Sequence, residues 1–128
     1  MNIYIKWKAV MKVHLNQIYG EIIADNETYV LTDNRHLDHL TLSRTELKPG
    51  MSTRGHSHES QEEIYIFTHG EGTMIVGENQ WDAHPGDTFL IPKGKFHRVV
   101  NKSTETPCCF TCIFESYDRS SAEAVYVK

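Results

Sequence analysis

The sequence has no cluster of basic residues and no long apolar run, and each absence excludes a class of protein. It carries 13 lysine and arginine residues against 17 aspartate and glutamate residues, for a net charge of -4. The basic residues are dispersed, so the chain offers no electrostatic footprint for a nucleic acid. No segment approaches the roughly 18 apolar residues that a membrane-spanning helix needs. We therefore predict that neither a nucleic acid nor a membrane is a partner.

The N-terminal stretch MNIYIKWKAVMKVHL contains lysines that interrupt its apolar residues. A secretory signal peptide instead carries an uninterrupted apolar region of about 7–15 residues. We therefore expect the protein in the cytoplasm. The chain also has no repeat and no linker rich in proline, glycine or serine, and its 128 residues fit one domain. We predict a single domain over residues 1–128.

Only three cysteines are present, and all of them lie in the segment PCCFTCIFES. Cys109 and Cys112 form a C-x-x-C pattern, which in other settings binds zinc or carries redox chemistry. The surrounding residues favour a strand, in which residues three apart face opposite sides. Cys108 and Cys112 share a side but lie roughly 13 Å apart at the usual rise per residue, too far for a disulfide. We predict that all three are small apolar residues of a core strand.

Helical periodicity is nearly absent, since no apolar pattern with a 3.6-residue period lasts for three turns. Short segments rich in β-branched and aromatic residues are present instead, and glycine-, proline- and asparagine-containing turns separate them. The predicted strands cover residues 29–32, 39–47, 63–69, 73–77, 87–92, 96–101 and 108–116. Many short strands at this spacing predict an all-β sandwich or barrel. The large aromatic residues expected in its core or pocket wall are Trp81, Phe89, Phe96, Phe110 and Phe114.

Two histidines lie one residue apart in the segment GMSTRGHSHESQEEIYIFTHG, residues 50–70. In an extended strand, His56 and His58 project from the same face, together with Arg54. If the following turn pairs this strand with the next one, Glu62 or Glu63 can meet the two imidazoles. The segment therefore predicts half of a metal site and a candidate carboxylate ligand.

A third nitrogen ligand is available in the segment PKGKFHRVVN. There, His97 follows a glycine turn and begins a predicted strand. Three histidines and one carboxylate, with positions left for water or substrate, suit Mn, Fe, Ni, Co, Cu or Zn.

At these residues the sequence resembles the cupin superfamily. The first cupin motif has a glycine, His-x-His, a glutamate and a second glycine, and it falls here on Gly50, His56, His58, Glu63 and Gly70. The second motif has a glycine, Pro-x-Gly, a histidine and an asparagine, and it falls here on Gly86, Pro92, Gly94, His97 and Asn101. The two motifs occupy residues 50–70 and 86–101, in the expected order and with every spacing met.

The resemblance implies an all-β fold, a double-stranded β-helix or jelly-roll barrel with a divalent transition metal inside. Its metal ligands would be His56, His58, Glu63 and His97, and the spacing to the following glycine selects Glu63 over its neighbour Glu62. Mn, Fe, Ni and Zn are the candidate metals. Residues 1–27 would form an N-terminal strand extension. Small cupins resemble one another in forming dimers, so we expect a homodimer in which NIYIKW is a candidate edge strand.

Tyr65 and Arg54 are the candidate residues beyond the metal ligands. Tyr65 lies two residues after Glu63 on the same predicted face, so its hydroxyl would enter the barrel near the metal. It would either move a proton or bind substrate there, or it would be a core tyrosine bonded to a carbonyl. Arg54 would either bind a carboxylate or phosphate of the substrate or be a solvated residue at the rim.

The expected function is that of a metal-dependent enzyme acting on a small polar molecule, with the metal as a Lewis acid. The segment EIYIFTHGEGTM resembles the corresponding strand pair of small sugar-phosphate isomerase-like cupins, which implies an isomerase or epimerase. With the tail CIFESYDRSSAEAVY it also resembles, more loosely, cupin-type dimethylsulfoniopropionate lyases. In a lyase, Tyr65 would be the base, and Tyr117 or Tyr126 would be a second phenol.

Two further alternatives remain open from the sequence. An iron-bound form of the same ligand set would suit a dioxygenase, because ligand identity constrains the metal only loosely. A non-catalytic cupin that binds a small molecule is the other alternative, and the intact set of four ligands counts against it.

Overall fold

The β-forming segments of the sequence become the strands of two antiparallel sheets. The structure is a computed structural model that describes residues 8–116, and within that range it contains nine strands and no helix. The strands are β1 (Glu21–Asp25), β2 (Tyr29–Asn34), β3 (Leu40–Leu47), β4 (Glu63–His69), β5 (Gly72–Val76), β6 (Asn79–Ala83), β7 (Thr88–Ile91), β8 (His97–Asn101) and β9 (Cys108–Glu115). Nothing in this range is a helix long and apolar enough to cross a membrane.

The six-stranded sheet has the order β1-β2-β3-β9-β4-β7, and the three-stranded sheet has the order β6-β5-β8. The core combines side chains of both sheets: Phe67, Phe110 and Phe114 belong to the larger sheet, and Met74 and Val99 to the smaller one. This arrangement confirms the predicted all-β jelly-roll barrel. All seven predicted strands are present, with ends shifted by one or two residues.

Strand β4 shows the alternation that the sequence predicts. Glu63, Tyr65 and Phe67 are buried, whereas Ile64 and Ile66 are only partly buried. Tyr65 and Phe67 belong to the core that residues of both sheets form, so this face of β4 lines the barrel interior. Glu63 and Tyr65 therefore enter the same interior space, as expected from their spacing of two.

Strand β9 is central in the larger sheet, and its cysteines are core residues as predicted. Cys108, Cys109 and Cys112 are free thiols, and all three are buried. Burial, together with the neighbouring Cys109, raises the pKa of the Cys108 thiol to about 12. The Cys108 thiol therefore stays protonated at physiological pH, which suits a packing role and not a nucleophile or a metal ligand.

Strand β6 was not predicted from the sequence, and strand β1 lies within the predicted extension over residues 1–27 without its bounds having been predicted. Strand β1 has charged residues at both ends, and four of the five residues of β6 are exposed. Each forms by pairing with one neighbouring strand, β2 for β1 and β5 for β6.

Two aromatic residues expected in the core or pocket wall are instead partly exposed, Trp81 at 46% and Phe96 at 44%.

The segment carrying the two motif histidines is not the regular strand that we expected. Between residues 50 and 62 the backbone makes only isolated bridges, from Ser52 to Val100 and from His56 to His97. In the predicted extension over residues 1–27, the described part contains β1 and one bridge between His14 and Gln17. The candidate edge strand NIYIKW, Tyr117 and Tyr126 lie outside the described residues.

Candidate metal centre

Three of the four predicted ligands converge in the barrel. His56, Glu63 and His97 are 5%, 2% and 3% exposed, and each offers a ligand atom within 4.8 Å of the others. The Nε2 atom of His56 lies 3.4 Å from Oε1 of Glu63, and Nε2 of His97 lies 3.4 Å from Oε2 of the same carboxylate. Each histidine therefore faces a different oxygen of one glutamate.

The backbone holds these residues in place. The amide of His56 donates to the carbonyl of His97 at 3.1 Å, and the amide of His97 donates back to the carbonyl of His56 at 3.0 Å. Gly55 allows this close approach: its φ is +85°, and a Cβ atom there would lie 2.5 Å from the ring of Phe96. Only glycine adopts this backbone conformation readily and leaves room for the ring. Glu63 is held as the first residue of β4, paired with β7 and β9.

Hydrogen bonding orients the imidazole of His97 toward Glu63. Nδ1 of His97 lies 2.9 Å from the carbonyl oxygen of Lys95. A carbonyl oxygen only accepts, so Nδ1 carries a proton, and Nε2 is the ring nitrogen that can bind a metal ion. That Nε2 and Oε2 of Glu63 are buried, and neither makes a hydrogen bond within the described part of the chain. A buried lone pair opposite a carboxylate oxygen is stabilised by a cation between them.

Glu63 carries the negative charge of the cluster. Burial alone raises its pKa, but the neighbouring side chains of His56 and His97 outweigh burial and lower the pKa to about 2. The side chain is therefore a carboxylate at neutral pH. Two imidazole nitrogens and one carboxylate form a donor set that fits a divalent transition metal.

His58 lies beside the three converging residues. Its ring centroid is 5.0 Å from that of His56, and the residue is partly buried. Its carbonyl oxygen accepts a hydrogen bond from the amide of Gly94 at 2.6 Å, which ties this loop to the turn before β8. The expected common strand face is absent here, so His58 as a fourth ligand stays a prediction.

Tyr65 lies next to the cluster. It is 4% exposed, its ring centroid is 5.4 Å from that of His97, and the ring stacks on Phe110 at 5.3 Å. Arg54, by contrast, is exposed. No ion pair joins it to another residue in the 8–116 range. The catalytic role of Tyr65 and the substrate-binding role of Arg54 stay predictions.

The adjacent glutamate behaves as the spacing of the motif implied. Glu62 is exposed, whereas Glu63 is buried. Four motif glycines, Gly50, Gly70, Gly86 and Gly94, have positive φ angles, as expected of turn glycines.

A cavity beside His56 and Tyr65 contains polar residues that the sequence reasoning missed. Its lining consists of Tyr29, Leu31, Ser43, Thr45, Thr53, His56, Tyr65, Phe110 and Cys112. Strand β3 contributes Ser43 and Thr45 from a face that also carries the buried Thr41. The available signal was the alternation of these hydroxyl residues, but Leu40 and Leu42 alternate with them and suggest the opposite face as the buried one.

Comparisons with known proteins agree with this geometry. Residues 43–114 match the family model for the cupin domain. The uncharacterized protein MJ1618 of Methanocaldococcus jannaschii is 28% identical over 74 residues, which are 58% of this chain and 59% of that protein. This chain therefore matches about three fifths of the length of the archaeal relative.

Two solved structures show the same fold. KdgF from Halomonas sp. has a TM-score of 0.68 at 17% identity, over 79% of this chain and 92% of that one. The cupin-superfamily sugar phosphate isomerase SPO2919 from Silicibacter pomeroyi has a TM-score of 0.63 at 20% identity, over 71% of this chain and 61% of that one. At these identities the likeness concerns the fold alone. The family match covers more than half of the chain and includes every residue of the buried cluster, so the chain belongs to the cupin family.

Proposed function

We propose that this protein is a metal-dependent enzyme that acts on a small polar metabolite, with the metal as a Lewis acid. The observation that supports this most directly is the buried set His56, Glu63 and His97, whose ligand atoms lie within 4.8 Å of one another. These three residues would hold Mn, Fe, Ni or Zn, and His58 is the proposed fourth ligand. When bound, such a metal polarises an oxygen atom of the substrate.

The proposed role of Tyr65 is to move a proton at its hydroxyl oxygen. The residue lies on the strand face of Glu63, its ring contacts that of His97, and the ring of Phe110 stacks on it. This packing restricts the ring and excludes bulk water, which favours proton transfer at one defined position. Arg54, two residues before His56 and exposed, is the proposed contact for a charged group of the substrate.

The proposed reaction is isomerisation or epimerisation of a sugar phosphate. The structural likeness to a cupin named as a sugar phosphate isomerase supports this class, as does a cavity that is lined with hydroxyl groups. The second candidate is a lyase in which Tyr65 is the base, which its burial against His97 favours. Sugar phosphates followed by NMR and dimethylsulfoniopropionate followed by headspace analysis would separate the two reactions.

The metal itself is tested by elemental analysis of untagged protein. We expect about one equivalent of a divalent transition metal in the wild type and a strong loss in the His56→Ala and His97→Ala variants. His84→Ala is the matched control, because His84 is an exposed histidine outside the cluster and its loss should leave the metal content unchanged. Wild-type protein that binds no metal, even after incubation with these ions, would contradict the proposal.

The role of Tyr65 is tested separately with Tyr65→Phe. This variant keeps the ring that contacts His97 and Phe110, so we expect a full metal equivalent together with a loss of turnover. Turnover that survives in Tyr65→Phe would remove the proposed proton transfer and leave the metal site intact.

We also propose a cytoplasmic homodimer. The edge strands of the larger sheet, β1 and β7, carry Ile22 and Leu90, which are 66% and 74% exposed. Open sheet edges with exposed apolar residues favour association. Light scattering coupled to size-exclusion chromatography should give twice the monomer mass, and a monomer at micromolar concentration would contradict the proposal.

A further inference from the structure

We infer that the cavity beside His56 and Tyr65 selects substrates by a small, uncharged group that carries a hydroxyl. This inference rests on the proposed function, because it concerns the part of the substrate that lies next to the metal. It goes beyond that function by stating which end of the substrate enters the barrel. A carboxylate or phosphate group would remain outside the cavity.

The cavity offers hydrogen-bonding groups that have no partner yet. Ser43 and Thr45 lie at alternate positions of β3, are 3% and 7% exposed, and line the cavity. Neither hydroxyl makes a hydrogen bond to another residue in the described part of the chain. Thr53 also lines the cavity, and its Oγ1 accepts a hydrogen bond from the amide of Val99 at 2.9 Å, which leaves its own proton to donate. Buried hydroxyl groups of this kind are stabilised by a ligand that donates and accepts hydrogen bonds.

The charge of the lining excludes an anion. None of the nine lining residues is a lysine, arginine, aspartate or glutamate. The imidazole among them, His56, points its Nε2 atom at Glu63. Burying an anionic group without a partner of opposite charge is strongly unfavourable. A carboxylate or phosphate is therefore a poor occupant, whereas a neutral hydroxyl group meets the hydroxyls of Ser43 and Thr45.

The size of the cavity limits the group further. Its volume is about 10 Å³, which is close to the room that one water molecule or hydroxyl group needs. Phe110 and Leu31 close its apolar side. The cavity therefore has room for the hydroxyl of a hydroxymethyl group but not for a longer chain, and a methyl group cannot offer the buried hydroxyls a hydrogen bond.

The test uses three small molecules that share one metal-binding end and differ in the group offered to the cavity. Glycerate, lactate and tartronate all carry an α-hydroxycarboxylate, and their other ends are hydroxymethyl, methyl and carboxylate. Isothermal titration of Mn²⁺-loaded protein measures each dissociation constant. We expect glycerate to bind about tenfold more tightly than lactate, the factor that one satisfied hydrogen bond provides. Because the second carboxylate of tartronate can also chelate Mn²⁺, each affinity is divided by that for Mn²⁺ in solution, and on this scale tartronate should bind most weakly of the three.

Two variants assign the preference to the cavity. Ser43→Ala combined with Thr45→Val removes both hydroxyls, so glycerate and lactate should then bind equally. Thr111→Val is the matched control: Thr111 is also fully buried in the larger sheet and its Oγ1 also lacks a partner, but it is not part of the cavity lining. This variant should keep the tenfold ratio. Thermal unfolding and metal content are measured for each protein before the titrations.

The outcomes separate this inference from the proposed function. Wild-type protein that binds no Mn²⁺ would remove the metal centre and this inference with it. Protein that binds Mn²⁺ but shows equal affinity for glycerate and lactate, or prefers tartronate on the scale relative to Mn²⁺ in solution, would overturn the inference and leave the metal centre intact. A preference for glycerate that survives loss of both hydroxyls would also overturn it.

Discussion

Replacing Glu63 with glutamine distinguishes a metal centre from a buried ion pair, because the two predict opposite signs for the change in stability. Nδ1 of His97 donates to the carbonyl of Lys95, and its Nε2 faces the Glu63 carboxylate at 3.4 Å. With a neutral imidazole and no metal, two acceptors would therefore face each other. The amide of Glu63→Gln can donate to Nε2 of His97, so the metal-free variant should be more stable than the metal-free wild type.

The magnitudes follow from the number of contacts. One gained hydrogen bond contributes about 1 kcal/mol, which raises the melting temperature of the metal-free protein by roughly 3–5 °C. Metal at about 100 times its dissociation constant stabilises the wild type by about 2.7 kcal/mol, or roughly 10 °C. The variant should gain little from metal, because Glu63 is the anionic member of the donor set.

Differential scanning calorimetry at pH 8, with a chelator or with added metal, measures both effects. This pH is chosen because it lies above the ordinary histidine pKa of about 6.5. The matched control is Glu62→Gln, which changes an exposed glutamate next to the buried one and should alter neither melting temperature. Destabilisation of metal-free Glu63→Gln by about 3–5 kcal/mol, the cost of breaking a buried ion pair, would refute the reasoning. A metal-induced rise that persists in the variant would refute it as well.

Three further predictions concern single residues. His58→Ala should weaken metal affinity by at least about tenfold in a competition titration with a chromophoric chelator, and unchanged affinity would remove His58 from the ligand set. Because the pKa of Cys108 is raised to about 12, its thiol should resist iodoacetamide at pH 8 in the folded protein and react after denaturation. Mass spectrometry measures the alkylation, and rapid alkylation of the native protein would contradict the burial of this thiol. Gly55→Ala places a Cβ 2.5 Å from the Phe96 ring and should lower the free energy of unfolding in urea by more than about 2 kcal/mol. Gly77 also has a positive φ but has open space around it, so Gly77→Ala should lower this free energy by only about 1 kcal/mol. Equal losses of stability would show that the contact with Phe96 is unimportant.

Much of the site could be predicted from local sequence because its members lie at strand ends or alternate along a strand. Glu63 begins β4 and His97 begins β8, and the period of two along a strand placed Tyr65 on the same face as Glu63. The motif spacing also selected Glu63 over Glu62, and of the two Glu63 is the buried one.

The position of His58 could not be obtained in the same way. His58 shares a face with His56 only if both lie in a regular strand, but the segment makes only an isolated bridge at His56. A spacing of two puts side chains on one face only where the backbone is extended and paired. The loop instead follows the backbone contacts with His97 and Gly94, which belong to a distant part of the chain.

The sequence by itself determined the all-β character, the cupin motifs, the turns and the buried cysteine strand, because each depends on local periodicity, turn residues or fixed spacing. Tertiary structure decided the bounds of strand β1 and the existence of strand β6, because each of them pairs with a neighbouring strand that offers hydrogen-bonding groups. It also decided that Ser43 and Thr45 face inward while Leu40 is 47% exposed. A pattern of alternation shows which residues share a face, but it cannot show which face is covered. That choice follows from how β3 lies in the larger sheet, beside the interior that His56 and Tyr65 enter.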